Sequence, residues 1–336
     1  SETVFGMAKE VAKAIAAKYP DTLVGCYAYS AYSHPPSFKL HPNVYLQTTT
    51  AYRRTPLSLE EQVSAFGDKT DQLGIREYYS VYQWDWDYPD PGKMTPDVLK
   101  QDLSQFHNWG VTAVNAEASN NWAARGLGYY VAARLLWDVD ADTQKIVKDF
   151  YEQAFGPAAR PMERYYARWY GPSVAVFTDP SELPQRVKYF EKGKHNPAAL
   201  RDAYADLDEA MRLAKGNEAV LARLAHLRMY LHYLTLRYQL EQAEATGDRE
   251  KILAAIGDET TYGAKLTYTN MLHTRPLLGK AFLRRFRKHA ELLEDYAPAQ
   301  QKTGPWRQIA DPPGRAELDE LWAADKRLLE QAAAED

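Results

Sequence analysis

The chain has 336 residues, of which 45% are hydrophobic and 26% charged, as is typical of a folded protein with one or more sizeable cores. Its formal net charge of −4 argues against a nucleic-acid partner, because such proteins usually carry a basic surface. The single cysteine, Cys26, excludes an intrachain disulfide, and no apolar run approaches the roughly 20 residues that span a membrane.

Helices and strands alternate in the first half of the chain. The apolar spacing predicts four helices, over residues 3–18, 58–73, 95–109 and 123–137. It also predicts four strands, over residues 23–29, 44–49, 75–84 and 111–116. Ser58, with Glu61 three residues later, has the sequence of a capping box and marks the start of the second helix.

Beyond about residue 140 the sequence predicts helices only. The clearest covers residues 217–245, with apolar side chains stepping by three and four at Leu224, Leu227, Leu231, Leu234 and Tyr238. A second long helix is predicted over residues 276–295. Its basic residues are expected to form a solvated face; they are Lys280, Arg284, Arg285, Arg287 and Lys288.

Strands separated by helices imply right-handed βαβ units and a parallel sheet. Four such strands correspond to half of a (β/α)8 barrel, which usually needs about 250 residues. The sequence therefore predicts an α/β fold in which residues 1–138 form the second half of a TIM-like (β/α)8 barrel and residues 139–336 form an all-α helical bundle. The alternative for the first part is a complete, smaller open sheet.

Two stretches rich in aromatic and acidic residues lie where the third and fourth predicted strands end, at residues 82–88 and 114–122. In parallel α/β barrels the active site lies at the carboxyl ends of the strands. Carboxylates beside flat aromatic rings suit a neutral, ring-shaped ligand rich in hydroxyl groups. We therefore expect a carbohydrate ligand.

Glycoside hydrolysis normally uses two carboxylates, and Glu117 and Asp85 are the candidate catalytic pair. The alternative for Glu117 is a salt bridge to Arg125 or Arg134, or a helix-capping role. Asp87 has the alternative of a surface turn. The substrate-binding residues expected at the strand ends are Tyr29, Tyr32, Trp84, Trp86, Asp87, Asn120 and Trp122.

Signals for cofactor chemistry are weak. The eight histidines show no metal-ligand spacing, and the chain has neither a P-loop nor a dinucleotide glycine fingerprint. The sequence also lacks the glycine-flanked serine elbow of the α/β-hydrolases. We expect neither a metal nor an organic cofactor.

Several segments together resemble a bacterial family, namely residues 23–29, 82–85, 110–117 and 130–138. Over roughly residues 1–175 the chain looks like the second half of the domain of unknown function 4838. That domain is tied to glycoside hydrolase family 163, whose activity is endo-β-N-acetylglucosaminidase, and more distantly to α-glucuronidase-like barrels. The resemblance implies that Glu117 occupies the acidic position after the last strand, although Ala116 and Ala118 replace the glycine and glutamine that often flank it.

The resemblance also implies a secreted or periplasmic protein whose barrel begins before Ser1. Since the chain starts without an initiator methionine or a signal segment, we expect a processed or truncated piece of a longer enzyme.

Three functions follow from these patterns. The first is a glycoside-hydrolase-like protein that acts on or binds carbohydrate, with N-acetylglucosamine-containing glycans as the implied ligands. The second is a non-catalytic carbohydrate-binding or scaffold protein of a glycan-utilisation system. In the third, the helical half docks a partner and the acidic residues at the strand ends are structural.

Overall fold

The computed structural model of the chain describes residues 1–81, 88–278, 282–293 and 310–335. The chain divides into two compact units that interleave along the sequence. The first unit comprises Ser1–Val81, Val98–Ala118 and Arg134–Ala141, and the second comprises Tyr82–Asp97, Ser119–Ala133 and Asp142–Asp336. The predicted division between residues 138 and 139 stays a prediction.

The first unit contains a four-stranded parallel sheet in the order β1-β2-β3-β4. The strands are β1 (Val24–Ser30), β2 (Val44–Arg53), β3 (Leu73–Tyr78) and β4 (Ala113–Glu117). Helix α1 (Glu2–Ala16) precedes β1, α2 (Leu59–Gly67) joins β2 to β3, and α3 (Pro96–Asn108) precedes β4. The predicted α/β organisation with a parallel sheet is therefore confirmed.

Helix α2 begins with the predicted capping box. The Ser58 hydroxyl accepts the Glu61 backbone N–H at 3.1 Å, and the Glu61 carboxylate accepts the Ser58 N–H at 2.7 Å. The predicted extension of this helix to residue 73 is wrong, because Leu73 already pairs with Leu46 of β2. Sheet pairing in this segment outweighs its helical pattern.

The two faces of the sheet differ in burial. Helices α1 and α2 contact strands β1 to β3, and the side chains of Leu46 and Ile75 are fully buried. Phe5 of α1 and Phe66 of α2 pack edge to face with ring centroids 5.6 Å apart. Because strand side chains alternate between faces, the residues adjacent to Ile75 in sequence point to the opposite face, where Arg76 is half-buried.

Gly74 allows a close approach on this less buried face. A Cβ atom at Gly74 would overlap the Tyr45 hydroxyl and lie 2.9 Å from the Tyr45 Cζ atom. Tyr45 can therefore lie across β3, with its hydroxyl 3.4 Å from the Leu73 carbonyl oxygen.

The second unit is dominated by helices. Their bounds are α4 (Trp122–Trp137, whose last turn belongs to the first unit), α5 (Thr143–Phe155), α6 (Ala159–Tyr170), α7 (Pro197–Leu213), α8 (Glu218–Thr246), α9 (Arg249–Lys265) and α13 (Arg315–Glu335). A two-stranded antiparallel ribbon, β5 (Phe190–Glu191) and β6 (Lys194–His195), precedes α7. No helix in the described ranges has the length and apolar character needed to cross a membrane.

Helix α8 lies at the centre of the second unit and contacts α5, α7, α9 and α13. Asn217 caps its start by accepting the Val220 N–H at 3.2 Å, and Gly247 follows its end in the left-handed conformation, with φ at 67°. The predicted seam is confirmed, since its five side chains are all buried: Leu224, Leu227, Leu231, Leu234 and Tyr238.

The prediction of one long helix over residues 276–295 is wrong. The described part of this region forms short segments, α10 (Arg275–Leu278), α11 (Phe282–Arg285), a 3-10 turn (Arg287–His289) and α12 (Ala290–Leu293). The expectation of a solvated basic face fails at Arg285, whose side chain is only 1% exposed and pairs with the buried Glu259 of α9. Because Glu259 is distant from Arg285 in the sequence, the residues around Arg285 do not indicate that its side chain is buried.

Candidate functional site

Four tyrosines line the carboxyl ends of the first three strands. Tyr29 is the last residue but one of β1 and Tyr32 follows that strand. Tyr52 belongs to the end of β2, and Tyr78 is the last residue of β3. Their ring centroids are 6.4 Å apart for Tyr29 and Tyr32, 5.9 Å for Tyr29 and Tyr52, and 5.5 Å for Tyr52 and Tyr78. We call these four residues the tyrosine row.

Glu117 lies beside the tyrosine row and is held by Arg76. Residue Arg76 is paired with Asn115 and Tyr78 with Glu117 in the β3–β4 register, so these side chains share one face. Arg76 donates from Nη2 to Glu117 Oε2 at 3.0 Å and from Nη1 to Asn115 Oδ1 at 2.8 Å. The Glu117 side chain keeps 43% of its surface exposed, so the pairing with Arg76 does not bury it.

The Arg76 guanidinium also connects the acidic group to two aromatic rings. Its carbon lies 5.5 Å from the Tyr78 ring centroid and 6.0 Å from that of Tyr27, within cation–π range. Burial raises the pKa of the Tyr78 phenol. This hydroxyl therefore stays protonated at neutral pH and is able to donate a hydrogen bond.

Unusual backbone geometry occurs at the same edge of the sheet. Ser30 and Tyr52 have positive φ angles of 48° and 57°, which are rare for residues other than glycine. The β1–β2 register shifts between Ala28 and Ser30, as in a β-bulge. The shift places the Tyr52 ring, which is 46% exposed, between Tyr29 and Tyr78. Such outliers persist where surrounding structure holds them, often at functional sites.

Glu77 is a second carboxylate at the end of β3, but it points to the opposite face of the sheet from Arg76. It is 1% exposed and accepts hydrogen bonds from the Thr50 hydroxyl at 2.7 Å and from the Tyr78 backbone N–H at 2.6 Å. These contacts give Glu77 a structural role in joining β2 to β3.

The structure brings three of the predicted site residues together, Tyr29, Tyr32 and Glu117. Asn120 and Trp122 belong to the second unit. There Asn120 is exposed, and Trp122 is 47% exposed with its ring 5.3 Å from that of Tyr129. The predicted residues Trp84, Asp85, Trp86 and Asp87 lie outside the described residues.

Sequence reasoning left Arg76, Asn115 and Tyr52 out of the predicted site. The salt bridge proposed as an alternative for Glu117 exists, but its partner is Arg76 of the neighbouring strand. Arg76 could have been recognised as a site residue, because it is a charged residue within a strand of otherwise buried residues. Tyr52 follows the second predicted strand, so the strand-end rule does select it, but its place between Tyr29 and Tyr78 depends on the register shift between β1 and β2.

This combination of side chains is suited to binding hydroxyl groups. An ionised carboxylate accepts hydrogen bonds, a guanidinium donates them, and an amide or phenol does both. Within the described ranges no group of three or more histidine, cysteine, aspartate or glutamate residues is placed to hold a metal ion.

Comparison with known proteins gives a match to a family model. The model for the Domain of unknown function (DUF4838) matches residues 1–168, half of the chain. This range includes all segments of the first unit and therefore the tyrosine row, Arg76 and Glu117. No curated protein and no solved structure matches the chain. The chain belongs to the family of the Domain of unknown function (DUF4838).

Proposed function

We propose that the chain is a glycoside-hydrolase-like protein that binds carbohydrate on the exposed face of its four-stranded sheet. The observation that carries this proposal is the tyrosine row beside the Arg76–Glu117 pair. Tyrosine combines an apolar ring face with a polar hydroxyl, which matches the two kinds of surface on a sugar ring.

The polar groups next to the row complement sugar hydroxyls. Glu117 accepts hydrogen bonds, and the Asn115 amide lies 3.5 Å from the Tyr27 hydroxyl on the same face. Because Arg76 fixes both Glu117 and Asn115, these groups are preorganised and lose little side-chain freedom on binding. N-acetylglucosamine-containing glycans are the proposed ligands.

For catalysis we assign Glu117 as one carboxylate and Asp85 as the second. A carboxylate already paired with an arginine is suited to the role of base, nucleophile or hydroxyl acceptor. A separation of about 5–5.5 Å between the two carboxyl groups would give retaining chemistry, and about 6.5–9.5 Å would give inverting chemistry.

We also propose that the sheet is the second half of a TIM-like (β/α)8 barrel. Two features support this proposal. Helices α1 and α2 contact strands β1 to β3, while the face that carries Arg76 and Asn115 is partly exposed and polar, as a barrel mouth would be. In the described part of the chain, β1 and β4 are edge strands of the sheet.

The replacement of Glu117 by glutamine tests the catalytic role. Glu117→Gln keeps the shape of the side chain but removes its charge, so turnover of N-acetylglucosamine-containing oligosaccharides should fall by at least ~100-fold. Product release is measured by chromatography. The control Glu10→Gln alters an exposed residue of α1 and should leave turnover unchanged. Near-normal turnover by Glu117→Gln would overturn the catalytic assignment.

Non-catalytic carbohydrate binding is the second candidate function. The observation that favours it is that Glu117 is engaged by Arg76 while Glu77 points to the other face. A wild-type protein that binds oligosaccharides but releases no product over long incubation would establish this alternative.

A further inference from the structure

A cavity of about 260 Å³ lies in the second unit and is lined by residues of helices α4, α5, α6 and α8. An apolar cavity of about 150 Å³ is large enough to hold benzene, so this cavity has room for a substituted ring. Its lining is mostly apolar, and the larger apolar and aromatic side chains are Trp122, Phe150, Phe155, Tyr166, Leu227 and Met271.

Trp122 is held in place at one wall of this cavity by contacts around it. Its backbone N–H donates to the Asn270 carbonyl oxygen at 3.0 Å, and the Ala123 N–H donates to that of Met271 at 3.4 Å, which joins the start of α4 to the segment of Met271. The indole lies against Gly126, where a Cβ atom would be only 3.2 Å from Trp122 Cε3. Trp122 is nevertheless 47% exposed, so much of its surface is free to contact a ligand ring.

Tyr166 of α6 brings a hydroxyl group to the same cavity. Its ring packs against those of Phe150, Phe155 and Tyr170, with centroids 5.6, 6.2 and 6.0 Å away, and the residue is only 3% exposed. The hydroxyl has no hydrogen-bond partner among the described residues, but it is not fully enclosed, unlike the unpartnered hydroxyl of Tyr151. A ligand that hydrogen-bonds to the Tyr166 hydroxyl would therefore satisfy an otherwise unused polar group.

The protonation of Tyr166 determines what it offers to a ligand. Burial raises the pKa of its phenol well above the usual value of 10.0. The hydroxyl is therefore protonated at neutral pH and is able to donate a hydrogen bond.

His226 of α8 supplies a second polar group to the lining. Its ring nitrogens have no hydrogen-bond partner in the described part of the chain. Burial lowers the pKa of His226 from its usual 6.5, so the imidazole is predominantly neutral at pH 7. A neutral imidazole has one ring nitrogen that accepts a hydrogen bond and one that donates.

The charge of the lining favours a neutral ligand. Arg223 is exposed to solvent and donates from Nη1 to the Ala154 carbonyl oxygen at 3.1 Å, and no carboxylate belongs to the lining among the described residues. Moving an ion from water into mostly apolar surroundings is costly. A sugar ring would bring hydroxyl groups around its whole edge, and this lining offers few partners for them. An aromatic ring with one hydroxyl group meets both conditions.

We propose that this cavity binds a neutral phenol, that is, an aromatic ring that carries a hydroxyl group. The ring packs against Trp122 and Phe150. Its hydroxyl group accepts a hydrogen bond from the Tyr166 hydroxyl, while His226 offers an acceptor for its proton. This site belongs to the second unit and does not depend on the carbohydrate proposal for the sheet face.

Titration calorimetry with four matched probes tests this ligand class. The first is 4-methylphenol, which carries both the aromatic ring and the hydroxyl group. Toluene lacks the hydroxyl group, 4-methylcyclohexanol has a saturated ring, and 4-methylbenzoate is charged. We expect 4-methylphenol to bind about fivefold or more tightly than each of the others. No binding of 4-methylphenol, or equal or tighter binding of any other probe, would overturn the proposal.

The variant Tyr166→Phe locates the hydrogen bond. It keeps the ring and removes a hydroxyl group that has no partner among the described residues, so the fold is retained. The Kd for 4-methylphenol should rise about fivefold, whereas the Kd for toluene should not change. Tyr151→Phe is the matched control, because it removes an enclosed hydroxyl of a residue that does not line the cavity, and both Kd values should stay the same. An unchanged Kd for 4-methylphenol in Tyr166→Phe would contradict the assignment.

The variant Trp122→Ala locates the ring. Loss of one aromatic contact should weaken the binding of both 4-methylphenol and toluene about fivefold. Trp137→Ala removes a 93% exposed tryptophan at the other end of α4 and serves as the control. Equal affinities of Trp122→Ala and Trp137→Ala for 4-methylphenol would place the ligand elsewhere and overturn the proposal.

Discussion

At the scale of single residues, the site depends on a few contacts made across strands. Arg76 reaches from β3 to both Asn115 and Glu117 of β4, and it thereby fixes the orientation of the candidate carboxylate. Such a pair is only moderately stabilising at a partly exposed position. Its contribution is the positioning of Glu117 rather than the stability of the sheet.

Gly74 permits the packing of Tyr45 on the same face. Gly74→Ala should lower the free energy of unfolding by about 1–3 kcal/mol, because the new Cβ would overlap the Tyr45 ring. Gly25→Ala in β1 is the matched control, since a Cβ there has no neighbour within 4 Å. Chemical denaturation measures both. In a Tyr45→Ala background, Gly74→Ala should lower the free energy of unfolding by less. An equal decrease in the two backgrounds would exclude the clash with Tyr45 as the cause.

At the scale of elements, His195 joins the ribbon strand β6 to helix α8 through Glu241. Burial, followed by the charges of Arg237, Arg285 and Lys288, lowers the pKa of His195 to about 3 from its usual 6.5. The negative charge of Glu241 favours the protonated imidazole and therefore acts to raise this pKa. Burial and the three cations lower it and together outweigh Glu241. The neutral imidazole donates its Nδ1–H to Glu241.

This shift predicts loss of stability in acid. Between pH 6.5 and about 3 the unfolded chain binds a proton at His195 that the folded chain does not, so the free energy of unfolding falls as the pH is lowered through this window. Denaturation at several pH values should show a shallower slope for His195→Gln than for the wild type. The raised pKa of Glu241 acts in the opposite direction. Identical slopes would show that His195 does not titrate differently on folding.

The sequence predicted elements well where their signals are local. The capping box of Ser58 and Glu61, the alternation of helices and strands, and the apolar seam of α8 each depend on residues within a few positions of one another. The sequence did not predict burial or conformation correctly where these depend on a residue that is distant along the chain. Arg285 is buried because Glu259 lies opposite it, and residues 68–73 leave the helical conformation because Leu73 pairs with β2.

The prediction of the candidate site was limited in the same way, by contacts between residues that are distant in sequence. Tyr29, Tyr32 and Glu117 were predicted from the rule that sites lie at the carboxyl ends of parallel strands. Arg76 was not predicted, because it lies beside Glu117 only through the β3–β4 pairing. The same rule selects Tyr52, but its position between two other rings depends on a register shift that the sequence does not indicate.

Considered as a whole, the chain forms two compact units that interleave along the sequence. The matched family range, residues 1–168, includes all of the first unit with its tyrosine row. The second unit carries the cavity of about 260 Å³ that is lined mostly by aromatic and other apolar residues.

Carbohydrate binding by the tyrosine row is tested by calorimetric titration of the wild type, Tyr29→Ala and Tyr19→Ala with N-acetylglucosamine-containing oligosaccharides. Tyr29 belongs to the row, whereas Tyr19 is a 54% exposed tyrosine that follows α1. We predict that the wild type and Tyr19→Ala bind alike and that Tyr29→Ala binds about fivefold or more weakly, the loss of roughly 1 kcal/mol expected for one aromatic contact. Absence of binding by the wild type, or equal affinity in all three proteins, would contradict the claim.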